Sequence, residues 1–202
     1  MRAALFALMA FFSGSCLSGG QPMYVAICNA AGLPRDVVNH AEKEIVVVFS
    51  AAEVDIRWVD CEAVPPPEPE IRNQLFVVRL RSDGPTSTSR NVALDTMGRA
   101  YTNERGVGYV ADAYVPSIIA CAAQNGLERA PLLGLVISHE LGHLLLGPGH
   151  MPSGLMYGAW KTRETEGIRK RWLRFDRQQT AIIQRELEKR AEKSKAENGL
   201  QN

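Results

Sequence analysis

Apolar positions recur along the chain in a pattern that switches between helical and strand periods. A run from Ala3 to Phe12 comes first, then a short apolar strand over Met23 to Cys28. Val37, Ala41, Ile45, Val48 and Ala52 form a stripe at helical spacing, which predicts a helix over Pro34 to Glu53 with His40 off the stripe. Val54 to Val59 reads as a second strand. Gln74 to Leu80 is the most apolar strand of all and is expected at the centre of a sheet. Two more strands are expected near Met97 to Thr102 and Gly106 to Val110, either as a hairpin or flanking a central strand. Ala113 to Gln124 and Arg129 to Leu146 are expected helices separated by Asn125-Gly126, the second apolar nearly all round. A last helix opens at Phe175-Asp176, with Asp176 as its N-cap and Ile182, Ile183 and Leu187 as its packing face. From about Glu192 the chain is polar and expected to fray. Pro65 to Pro69 and Ser82 to Ser89 read as extended or turn-rich surface loops. Alternating elements of this kind predict an α+β domain, α/β-like in its order, with a twisted, mixed but mostly parallel sheet of about five strands.

The first apolar run follows Arg2 and ends in Ser13-Gly14-Ser15-Cys16, which reads as a secretory signal peptide over residues 1–20. It is too short to span a bilayer, which takes about 20 residues. Cys16 leaves a lipid anchor open as the alternative, although Ser13 stands where a lipobox favours Leu. Secretion, or residence in the periplasm or cell envelope, is the expectation. Residues 21–192 then form a single domain and 193–202 a polar tail. With 46% hydrophobic and 22% charged residues and a net charge of +1, the composition is that of a globular protein with no nucleic-acid partner. Arg163, Arg169, Lys170, Arg171 and Arg174 are interleaved with Trp172, Glu164 and Glu166, as on a solvated surface. Cys28 and Cys61 lie just past two strands joined by a crossover helix. Those strand ends share one side of a sheet, so an exported chain could bridge them. Cys121 reads as a buried thiol with no base beside it, which excludes thiol-protease chemistry.

Against this background one stretch carries chemistry: His139-Glu140-Leu141-Gly142-His143, then Gly147-Pro148-Gly149-His150. Histidines four apart on a helix share a face, with Cβ atoms roughly 6 Å apart, so both imidazoles reach one ion. Glu140 lies about 100° round from His139 and is close enough to hold a metal-bound water. Catalytic zinc takes three protein ligands and keeps one open position. Of the four histidines in the chain, His150 is the candidate third ligand, because the glycine-proline turn stops the helix and sends the chain back. Glu164 and Glu166 are the acidic rivals for that place.

With Ser153-Gly154-Leu155-Met156-Tyr157 downstream, the stretch resembles the metzincin clan of zinc peptidases, in its matrixin-like and archaemetzincin-like branches. The Trp58-Val59-Asp60-Cys61 strand ending, the long loop after it and the Leu144-Leu145-Leu146-Gly147 turn are also similar to a group of short bacterial secreted proteins predicted to be metallopeptidases. Two departures stand out. The clan pattern H-E-x-x-H-x-x-G-x-x-H is one residue shorter, so Leu146 occupies the glycine position and Gly147 and His150 are each displaced by one. Gly158, not a tyrosine, lies two residues after the Met, so no tyrosine ligand is implied. The resemblance implies a zincin fold with an upper part (21–147), a lower part (148–192) and a Met-turn at Met156. It further implies Zn2+ on His139, His143 and His150, and Glu140 as general base. A protein or peptide substrate would lie along an edge strand from Met97 to Thr102. The chain is expected to act as a monomer. Trp160 could wall a substrate pocket or anchor the core. The competing expectation is a secreted zinc-binding scaffold with weak or no hydrolysis. It rests on the displaced third histidine and on the absence of a recognisable inhibitory segment before the first strand.

Overall fold

The computed structural model describes residues 20–64, 69–84 and 97–199. Most of the leader, including Cys16, lies outside them, as do most of the proline-rich loop, Pro85 to Ser89 of the turn-rich stretch, and the last three residues. The described elements are β1 (Gln21–Cys28), α1 (Arg35–Ser50), β2 (Val54–Val59), β3 (Leu75–Arg81), β4 (Gly98–Thr102), β5 (Gly108–Tyr114), α2 (Val115–Asn125), α3 (Arg129–Leu146), α4 (Thr162–Arg169) and α5 (Arg177–Gly199). Short 3-10 turns at Cys61–Ala63 and Pro69–Gln74 lead from β2 into β3.

The sheet order is β2-β1-β3-β5-β4, so the most apolar strand, β3, takes the central place its sequence predicts. The first four strands in that order run parallel. β4 pairs antiparallel with β5, which settles the open choice in favour of a hairpin with β4 on the outer edge. β5 runs four residues past its expected end, because Ala111 and Ala113 continue its buried face.

Helices α1 and α3 lie together on the core side of the sheet. Gly134 permits their close approach: a Cβ there would come within 2.6 Å of the Ala41 carbonyl oxygen and 2.8 Å of the Glu44 Cβ. Phe49, Ile45 and Val48 of α1 and Leu132, Val136 and Ile137 of α3 are fully buried between them and the sheet. Gly126, in the left-handed region at φ 60°, closes α2 and creates the expected break before α3. The Cys28–Cys61 disulfide is formed, with Cα atoms 5.2 Å apart, and Cys121 is a buried free thiol. No helix among the described residues is long and apolar enough to cross a membrane.

Two features differ from expectation. Residues 162–169, read as a mixed-charge surface, form α4, whose first turn is closed by the Lys161 N–H donating to Glu164 at 3.0 Å. More important, α5 does not fray at Glu192 but continues to Gly199. Its cap is as expected: Gln179 N–H donates to Asp176 at 2.9 Å and Asp176 N–H to the Gln179 side chain at 3.1 Å. The last turns are held by polar anchors that an apolar-stripe reading overlooks. The Arg190 guanidinium is buried between the rings of Phe76 and Tyr109, 4.9 and 4.8 Å from their centroids. It donates to the Leu144 carbonyl at 2.9 Å, to the Gly108 carbonyl at 3.3 Å and to Glu186 at 2.9 Å. Further on, Asn73 donates to Glu197 at 2.8 Å.

Candidate metal centre

The C-terminal half of α3 carries Glu140 and His143 into the wall of a cleft of about 580 Å³, with His139 buried one turn before His143. The helix stops at Leu146, where the Gly147 N–H returns to the His143 carbonyl at 3.0 Å. Gly147 and Gly149 take φ values of 91° and 98°, open to glycine and strained for other residues. This turn absorbs the extra residue before the glycine and brings His150 back. The ring centroid of His150 lies 5.3 Å from that of His139 and 5.1 Å from that of His143. One ring nitrogen from each of the three histidines falls within 4.8 Å of the others, an arrangement that could hold a metal ion.

The hydrogen bonds behind the rings decide which nitrogens face inward. His139 Nδ1 lies 2.8 Å from the Leu155 carbonyl oxygen. A carbonyl only accepts, so Nδ1 carries the proton and Nε2 presents its lone pair. His143 Nδ1 approaches the Gly147 carbonyl at 3.4 Å in the same sense. The two Nε2 atoms are 3.1 Å apart. Two ligands at 2.0–2.1 Å from a tetrahedral zinc would stand about 3.3 Å apart, so the spacing suits a shared cation. Burial, and then the neighbouring His143, push the His139 pKa down to about 3, which keeps the ring in its neutral, ligating form at pH 7.

The ring positions are set from below by the segment after His150. Leu155 N–H donates to the Arg174 carbonyl at 2.8 Å, fixing the residue whose own carbonyl orients His139. Met156 is fully buried beneath α3, with its sulfur filling the space a Cβ on Gly142 would need. Gly158 is equally constrained, since a Cβ there would lie 2.5 Å from His150 Cγ and 2.7 Å from its Nδ1. The glycine two residues after Met156 is therefore what makes room for the His150 ring.

Glu140 is 3% exposed and lines the cleft together with the edge strand β4. A Cβ on Gly98 would come within 2.5 Å of Glu140 Oε1, so the start of β4 can carry no side chain at that point. Glu164 and Glu166 are outside the cluster: the first caps α4 and the second pairs with Lys170 at 3.0 Å. His40 is half-buried on α1 and takes no part in it. Trp160 is half-buried, packs against the core and sets its ring edge-on to His139 at 5.9 Å, closer to an anchor than to an open wall.

No protein-family model matches the chain, and no curated protein matches it in sequence. Solved structures that resemble its fold include the two that follow. Archaemetzincin from Methanopyrus kandleri aligns with a TM-score of 0.49 and 18% identity over 84% of this chain and 97% of its own. Metalloproteinase-II from Bacteroides fragilis aligns with a TM-score of 0.47 and 12% identity over 84% of this chain. Only 54% of that second protein is matched, so the chain spans about half its length. Similarity at this level assigns no activity. The site's reading rests on its own geometry.

The steric roles of Gly98, Gly142 and Gly158 and the part played by the Leu155 carbonyl are what sequence reasoning missed. No local signal distinguishes such glycines from turn glycines, and a backbone carbonyl has no residue type to read. Arg190 sends a signal only in retrospect, as the i+4 partner of Glu186.

Proposed function

We propose that the protein is a secreted zinc-dependent endopeptidase of metzincin type, with His139, His143 and His150 as metal ligands and Glu140 as general base. The observation that carries this reading is the convergence of three imidazole nitrogens within 4.8 Å, beside a carboxylate that lines the same cleft. The donor set fits zinc, being three imidazole nitrogens with carbonyl partners behind the first two. Met156, buried under Gly142, supports its reading as a Met-turn. The cleft runs between β4 in the part before Gly147 and His150 in the part after it, which supports a division into upper (21–147) and lower (148–192) parts. The apolar leader and the disulfide support export.

Zinc held on the three histidines would supply Lewis acidity, making water nucleophilic near neutral pH and polarising a peptide carbonyl. Glu140 takes the proton from the attacking water and returns it to the departing amine. Its burial beside Gly98 leaves it one direction in which to act, into the cleft. β4 offers its outer edge to an extended peptide, whose backbone would add to the sheet.

The test is metal analysis of the purified protein, followed by incubation with a diverse peptide library with and without a chelator. Chelator-sensitive cleavage is expected, and Glu140→Gln should keep stoichiometric zinc while losing at least about a hundredfold in rate. Zinc bound without cleavage would favour the scaffold reading. Undiminished cleavage by Glu140→Gln would remove that residue from the mechanism.

A further inference from the structure

The sheet has a second edge, far from the cleft, and its sequence is self-complementary. β2 is the last strand in the order β2-β1-β3-β5-β4, and no strand among the described residues pairs with its outer side. Over Val54–Val59 it is regular, with no proline, lysine or bulge, and Asp55 and Arg57 are its charged side chains. Val54, Ile56 and Trp58 lie on the core face, opposite Gln21, Met23 and Val25 in register. Trp58 remains 39% exposed there. Beside β2 runs α1, which turns Glu44 to Gly134 of α3. Val46, about 200° further round the helix, faces the other flank and is 36% exposed. On the opposite face of the strand Asp55 and Arg57 pair with each other at 2.6 Å, the arginine mostly and the aspartate partly in solvent.

We infer that β2 is a homodimer interface, in which a second copy of this chain adds its own β2 antiparallel about a two-fold axis at Ile56. In that register Asp55 lies opposite Arg57 of the second copy, and Arg57 opposite its Asp55. The exposed face becomes a closed ring of four alternating charges. Val54 then faces Trp58 of the other copy twice, and Ile56 faces its equivalent, so the apolar face is continuous across the junction. Neighbouring registers fail on the same residues. An axis at Asp55 or Arg57 sets like charges directly opposite each other, and a one-residue slip places charged residues opposite apolar ones. The dimer joins two five-stranded sheets into one and leaves both β4 edges and both clefts free. It replaces the expectation of a monomer and does not depend on the peptidase reading.

Sedimentation equilibrium of the purified protein tests it. The wild type is expected to be dimeric at micromolar concentrations. Asp55→Arg alone and Arg57→Asp alone each turn the two cross-strand attractions into repulsions and should weaken dimerisation at least about tenfold. An equimolar mixture of those two variants should form a heterodimer. One chain then presents two positive charges on that face and the other two negative ones, so both cross-strand attractions return, which also shows that both variants are folded. The doubly reversed variant should dimerise like the wild type. A wild type that stays monomeric up to millimolar concentration overturns the proposal. A dimer untouched by either single reversal, or single variants that do not pair on mixing, overturn it equally.

Discussion

Replacing Gly158 by alanine probes His150 as the proposed third ligand without altering any of the three histidines. The glycine has no positive φ, so alanine suits its backbone and the perturbation is purely one of space. The added Cβ would start 2.5 Å from His150 Cγ, and ordinary contact begins at 3.4 Å, so the imidazole must retreat by about 0.9 Å. His150 is exposed, and it can move outward without disturbing the core. Metal–nitrogen distances tolerate only about 0.2 Å, so a displacement of that size detaches the ligand. Changes that merely misorient a ligand typically cost 10- to 100-fold in metal affinity. Gly158→Ala should therefore lose about 100-fold in zinc affinity, approaching His150→Ala, while the thermal melt of the chelated protein stays nearly unchanged. Competition with a chromophoric chelator measures the affinity. Wild-type zinc affinity in Gly158→Ala, alongside a large loss in His150→Ala, would refute the steric argument. Wild-type affinity in both would remove His150 from the ligand set.

Three further outcomes follow from the same geometry. His139 titrates near 3 when folded and near 6.5 when unfolded, so its contribution is fully present above pH 6.5 and is lost as pH falls toward 3. The chelated protein should lose about 2 kcal/mol between pH 7 and pH 5 from this residue, measured by denaturant melts, and His139→Gln should flatten the dependence. Arg190→Met removes donors from the Leu144 and Gly108 carbonyls and should cost about 3 kcal/mol, with the amides of residues 186–199 losing hydrogen-exchange protection first. Opening the Cys28–Cys61 loop, whose ends are 33 residues apart, by a double serine substitution should cost about 3–4 kcal/mol in unfolding while leaving zinc affinity intact.

Much of this protein was legible in its sequence because the decisive signals are local. α3 has the bounds its apolar periodicity predicts, 129 to 146, and β2 those of its run, 54 to 59. Asp176 announced the α5 cap, and His139 and His143 share a face by helical pitch alone. The third histidine needed the fold. A seven-residue excursion can end almost anywhere, and it is the turn at Gly147 and Gly149 together with the bare face of Gly158 that lets His150 return to the cluster. The far end of α5 likewise escaped the sequence. Its burial rests on an arginine lodged between two aromatic rings from other strands, a contact that polarity along the chain argues against. Hydrogen bonding and apolar period act within a few residues and leave their mark on the sequence. Steric room and long-range polar pairing depend on which surfaces meet, and those are set only when the sheet and helices have packed.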